Sequence, residues 1–187
     1  MVNNYNANNS DRGKELLWEV NDNDEVVGSI SREECHNETR KPWHRSTHVY
    51  LFDSKGNLYL SQRSFSKDTA AGKWTVSAGG HVKYGDEPLV TAQRELEEEL
   101  GVKVNLTLID KIKIDYGSEK EIISIFAGVN SDKIRHNPNE VNQVKIFNYE
   151  EVTKNFMSGK FDLSGGSRDS FRWVLNNGTL GKFRETI

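Results

Sequence analysis

The sequence predicts an α+β fold, a curved mixed sheet sandwiched between helical layers. Three observations carry that expectation. Short alternating segments crowd the first half of the chain. One strongly patterned helix interrupts them near the middle, and two further helical stretches close the chain.

In order, Leu16–Asn21 and Val26–Ser31 flank Asp22-Asn23-Asp24-Glu25, a run of turn-forming residues that reads as a hairpin. Ser46–Asp53 and Leu58–Arg63 alternate around a second turn, Ser54-Lys55-Gly56-Asn57. Trp74–Ala78 is a short strand leading into glycines. Val104–Tyr116 and Glu121–Val129 form a third hairpin around Gly117-Ser118, and Val141–Asn148 is the last strand. Tyr149–Met157 and Arg168–Asn176 read as helices, with Ser164-Gly165-Gly166-Ser167 as a loop before the second.

The central helix carries the chemistry. Asp86 is its expected cap, Pro88 suits its first turn and Gly101 its left-handed end. Leu89, Ala92, Leu96 and Leu100 make one apolar stripe. Beside the stripe, Glu95, Glu98 and Glu99 fall within an arc of roughly 100°, while Glu97 points away. Like charges at this spacing oppose each other by about 0.2–0.5 kcal/mol per pair. Such a run is compatible with a solvated acidic face. It is also what a hard divalent cation shared with a phosphate requires.

Composition bounds the function classes. A net charge of −3 excludes a strongly basic footprint for a nucleic acid polymer. No run is long and apolar enough to span a membrane, and no signal-peptide pattern opens the chain. The single cysteine, Cys35, allows no intrachain disulfide and fits a reducing, cytoplasmic location.

The stretch from Gly80 to Val102 resembles the Nudix box, G-x5-E-x7-R-E-U-x-E-E-x-G-U, where U is bulky and apolar. Gly80, Arg94, Glu95, Leu96, Glu98, Glu99, Gly101 and Val102 match it, and Asp86 stands where the pattern has glutamate. The resemblance implies a Nudix-type α/β/α sandwich. Residues 1–13, polar, rich in asparagine and without periodicity, read as a disordered tail, and 14–187, with no internal repeat or linker, as one domain. It implies a hydrolase that cleaves a small-molecule diphosphate with Mg²⁺ (or Mn²⁺) held by Glu95, Glu98, Glu99 and the Gly80 carbonyl. Glu98 is the first choice for general base, with Glu119, Glu121 and Glu140 as alternatives, and Arg94 orients a carboxylate. Arg63, Lys83 and Arg45 are candidate phosphate contacts. Trp43, Tyr50, Phe65, Trp74 and Phe126 are candidates either for stacking on the rest of the substrate or for the core. Homodimers are common among such proteins.

Within that superfamily the first half is most similar to type I isopentenyl-diphosphate isomerases and their hydrolase relatives, through His44-Arg45, Gln62-Arg63-Ser64 and Gly72-Lys73-Trp74 before Gly80-His81. The similarity implies a second metal site at His36, His44, His81, Glu119 and Glu121. The isomerases carry a reactive cysteine two residues before the motif histidine, where this chain has Gly79. Isomerase-like chemistry and a catalytically silent diphosphate-binding module remain the alternatives to hydrolysis.

Overall fold

The computed structural model describes residues 13–37, 39–67, 69–115, 117 and 119–187. Of the expected tail only Gly13 is among them, and Tyr116 and Ser118 of the third hairpin also lie outside the described residues. The elements in chain order are β1 (Leu16–Val20), β2 (Val26–Ser31), α1 (Arg32–Cys35), β3 (Trp43–Phe52), β4 (Leu58–Arg63), β5 (Trp74–Thr75) and β6 (Ala78–His81). They continue with α2 (Pro88–Leu100), β7 (Thr107–Asp115), β8 (Lys120–Val129), β9 (Val141–Phe147), α3 (Tyr149–Met157), α4 (Gly165–Asn176) and α5 (Thr179–Arg184).

β3 organises the mixed sheet. Its whole length pairs in parallel with β8, from Trp43↔Lys120 to Phe52↔Val129. Its other edge is shared in turn by β1, β6 and β4, all antiparallel. β8 lies between β3 and β7 and packs into a core on each face, Ile123 and Ile125 on one side and Phe126 on the other, which explains its nearly continuous apolar run from Ile122 to Val129.

Alternation along β3 sorts the two cores. Tyr50 and Phe52 face α3, α4 and α5, packing with Ile123, Ile125, Phe156, Phe171 and Val174. Val49 and Leu51 face α2, packing with Ala92, Leu96 and Leu100. The sandwich expected from the sequence is therefore present, with α2 alone on one face and the C-terminal helices on the other. Burying each large aliphatic side chain contributes about 1.5–3 kcal/mol.

α2 begins at Pro88 with Glu87, not Asp86, at its cap, and no side chain bonds the cap. Leu89 is exposed, and the buried stripe is Thr91, Ala92, Leu96 and Leu100. The helix ends on Gly101 at φ 67°, where an added Cβ would also lie 2.8 Å from the Arg135 carbonyl oxygen. The final carbonyls are not left to water. Arg135 N–H donates to Leu100 O and Asn137 N–H to Glu99 O, each at 2.9 Å. That strap carries Glu140 to the end of the helix, because Glu140 N–H donates to Asn137 O at 3.0 Å.

The expected strand 74–78 is two strands, because the chain crosses from the edge of β4 to the edge of β3. Ser77 makes the crossing tenable. Its hydroxyl accepts from Leu51 N–H at 2.8 Å and donates to Tyr59 O at 2.6 Å. The expected loop 164–167 is largely the first turn of α4, which begins at Gly165. Tertiary contact overrides the poor helix propensity of glycine. Ser167 meets Thr75 at 2.6 Å, and the Ser170 hydroxyl meets His48 Nδ1 at 2.8 Å and the Tyr50 hydroxyl at 2.9 Å.

Candidate active site

The acids of α2 meet β6 at Gly80. A Cβ on Gly80 would come within 2.7 Å of the Glu95 carboxyl carbon, so only glycine leaves that cradle open. Arg94 donates from Nη1 to Glu95 at 2.7 Å and to Glu98 at 3.3 Å. Its Nη2 is buried with no partner among the described residues. Asp86 is close enough to favour the guanidinium charge but makes no bond to that nitrogen. Glu97 is exposed and pairs with Lys103 at 2.9 Å, apart from the cluster.

Glu99 is the most perturbed of these acids. Burial pushes its pKa well above the usual carboxylate range, Glu95 and Glu140 add to the rise, and Lys67 and Arg63 oppose it. Burial also raises Glu95, against Arg94 and together with Glu98. Carboxylates crowded in this way against the side-chain-free backbone at Gly80 are a hard, all-oxygen donor set, and they fit a divalent cation.

On the opposite face of β3 and β6 a second group assembles. His36 comes from the end of α1, His44 from β3 and His81 from β6, with Glu119 just before β8 and Glu121 on it. Single ligand atoms of His36, His44, His81 and Glu119 all lie within 4.8 Å of one another. Glu121 approaches His81 Nε2 at 3.4 Å and His44 Nε2 at 3.7 Å. Register explains the convergence, since His44 pairs with Glu121 and Ser46 with His81. Strand alternation then turns Gly80 toward α2 and His81 toward the histidines.

His44 Nδ1 lies 3.3 Å from the Pro42 carbonyl and donates to it, which leaves Nε2 as a lone pair aimed into the group. The Nε2 atoms of His36 and His44 are buried and lack hydrogen-bond partners among the described residues. Burial pushes His44 down to about 4 and lowers His36. His81 goes the other way. Burial opposes its charge, but hydrogen bonds to Glu119 and Glu121 prevail and raise it to about 9. Glu121 is lowered by His81 against the effect of its burial. Neutral imidazoles with orphaned nitrogens beside two carboxylates fit a divalent transition-metal ion such as Zn²⁺, favoured by the imidazoles, or Mn²⁺, favoured by the carboxylates.

A proton on His81 must leave before that nitrogen can ligate. Zn²⁺ titrated into metal-free protein near pH 7 is therefore expected to release a proton, and its affinity to rise until about pH 9. Calorimetry in buffers of differing ionisation enthalpy measures this. Identical heats in all of them would show His81 to be neutral already.

The NUDIX domain family model matches residues 42–173, most of the chain and both groups except His36. The chain belongs to the Nudix family. It is similar to an isopentenyl-diphosphate Delta-isomerase of Serratia proteamaculans, 31% identical over 144 residues, covering 74% of this chain and 79% of that protein. It is also similar to an uncharacterised Nudix hydrolase of Pseudomonas aeruginosa, 31% identical over 137 residues, covering 73% of this chain and 80% of that protein. A crystal structure from Deinococcus radiodurans shares the fold with a TM-score of 0.71 and 24% identity, covering 84% of this chain and 98% of that one. The chain is thus an enzyme of the Nudix hydrolase class with isomerase-like relatives.

The remaining expected residues of this Nudix enzyme divide. Arg63 stands on the α2 side of β4, close enough to act on Glu99, and its Nε donates to Thr69 O at 3.0 Å. Lys83 pairs with Glu15 at 3.0 Å, and Arg45 with Asp24 at 2.6 Å. Tyr50 and Phe126 are core. Trp43 lies under Lys113 and Lys120, Trp74 packs on Phe147 and Phe161, and Phe65 is exposed beside Gly72. Sequence reasoning missed Lys67, which pairs with Glu140. Nothing in the local sequence distinguishes it from any loop lysine. His48, whose ring lies beside Gly79, was likewise passed over.

Proposed function

We propose that the chain hydrolyses a diphosphate linkage in a nucleoside diphosphate joined to another group, or in a related small diphosphate metabolite, using Mg²⁺ or Mn²⁺. The observation that carries this reading is a chain of mutually interacting carboxylates, Glu98, Glu95, Glu99 and Glu140, with Glu95 against the backbone at Gly80. Glu95, Glu99 and the Gly80 carbonyl would hold the metal, with Glu98 beside them. When bound, the metal neutralises the diphosphate oxygens and makes water more acidic. Glu98, exposed at the rim and oriented by Arg94, takes the proton of the attacking water. Arg63 offers its guanidinium to a phosphate oxygen. A second divalent ion belongs at His36, His44, His81, Glu119 and Glu121.

Isomerase-like chemistry is the second reading, favoured by the histidine group and by the Serratia relative. Gly79 weighs against it. Glycine cannot move a proton, and a Cβ there would sit 2.6 Å from the Thr47 carbonyl oxygen and 3.1 Å from the His48 ring. The only cysteine, Cys35, is buried with Leu17 and Ile30, and burial pushes its thiol up to about 12.

The test is product release from a panel of nucleoside polyphosphates, nucleotide sugars, dinucleotides, coenzyme A and isoprenyl diphosphates, with Mg²⁺ and with Mn²⁺. Metal-dependent release is expected, reduced about 10²-fold or more by Glu98→Gln and unchanged by Glu97→Gln. Equal loss in both variants would refute the assignment on α2. Deuterium entering isopentenyl diphosphate from solvent would favour the isomerase. Ligands that bind but stay intact would favour the silent module.

A further inference from the structure

The hydrolase reading leaves one partly buried lysine unexplained. Lys67 lies in the connection between β4 and β5, and its ammonium pairs with the Glu140 carboxylate. The Lys67 side chain is 16% exposed, whereas every other lysine in an ion pair among the described residues is at least 32% exposed. Taking an ammonium and a carboxylate out of water is costly and seldom adds net stability. The backbone nevertheless holds the two together. Ser64 N–H donates to Glu140 O at 3.0 Å, and Lys67 N–H donates to Ser64 O at 3.2 Å. The same strap fixes Glu140 beside Glu99, through Asn137.

The ammonium therefore occupies the neighbourhood in which a divalent ion on Glu99 and Glu140 would sit. Two cations cannot share those oxygens closely without strong repulsion. Lysine is the side chain suited to leave. Its charge is compact, its stem is flexible, and it binds phosphate as a point charge.

We infer that Lys67 exchanges partners during the reaction cycle: it holds Glu140 in the metal-free protein and, once a divalent ion takes Glu140, moves to an anionic oxygen of the diphosphate. Resting on the hydrolase reading, this makes Lys67 both a placeholder for the metal and a substrate contact. It predicts opposite effects on two ligands when the charge is removed. The metal loses a competitor, and the diphosphate loses a partner.

The experiment is Mn²⁺ binding to the full chain without substrate, followed by paramagnetic resonance of the free ion. Lys67→Gln is expected to bind Mn²⁺ about tenfold more tightly than wild type. Lys67→Arg should resemble wild type, and Lys103→Gln should be silent. With Mn²⁺ saturating, methylenediphosphonate should bind Lys67→Gln about tenfold more weakly than wild type. Unchanged or weaker Mn²⁺ binding in Lys67→Gln would overturn the inference. So would an equal gain in Lys103→Gln, which would show a general charge effect. Glu99→Gln separates the two levels: Mn²⁺ binding untouched by that change would overturn the hydrolase reading itself, and the exchange with it.

Discussion

Glu99→Gln is expected to abolish metal-dependent turnover, by about 10²-fold or more, while making the metal-free protein more stable at neutral pH. The two effects have one origin. The carboxylate is held where burial, Glu95 and Glu140 disfavour its charge, so its folded-state pKa lies well above the unfolded value. A group of that kind contributes fully to stability below its unfolded pKa, and the contribution is lost as pH rises through the folded one. Glutamine never ionises and suffers no such loss. Thermal denaturation without metal should place the variant above wild type near pH 7, with the gap closing toward pH 4. Each kcal/mol relieved corresponds to about 2–4 °C in a chain of this size. Saturating Mg²⁺ should reverse the order, raising wild type by more than the variant. A variant less stable than wild type at every pH would mean that the carboxylate is satisfied by the fold and not reserved for a cation.

How much of this was legible depends on whether a feature is local. Glu95, Glu98 and Glu99 share a helix, and a period of 3.6 residues places them together without further knowledge. β2, β4 and α3 were read to their ends because each is bounded by turn residues and patterned throughout. The crossing at Ser77 was not legible, since nothing in Trp74–Ala78 says that the chain changes partner strands there. The start of α4 was hidden for a related reason. Gly165 and Gly166 oppose a helix, and Thr75, His48 and Tyr50, all distant in sequence, supply the contacts that stabilise it. The histidine group draws on α1, β3, β6 and the approach to β8, so only resemblance could nominate it. The Lys67–Glu140 pair spans 73 residues of chain, and no pattern announces it.

Neighbouring glycines should give opposite results when each is changed to alanine. Gly80→Ala is expected to fold normally and lose activity. The backbone at Gly80 is not in the left-handed region, so alanine is admissible there, and replacing glycine in a strand tends to stabilise by about 0.5–1 kcal/mol. What the new Cβ meets is the Glu95 carboxylate, at 2.7 Å from its carbon and 2.8 Å from one oxygen. A side-chain end can move, so the fold survives. The moved carboxylate leaves Arg94 and the Gly80 carbonyl, and displacements near 1 Å in such sites cost about 10²-fold in rate. At Gly79 the Cβ would instead meet the Thr47 carbonyl oxygen at 2.6 Å, backbone that belongs to the central strand β3. That atom cannot swing aside, so Gly79→Ala should lower the melting temperature through a shift of β3 against β6. Melting curves and product release on both variants distinguish the cases. An active Gly80→Ala enzyme would show that Glu95 tolerates displacement, and the geometric role assigned to it would have to pass to Glu99 and Glu140.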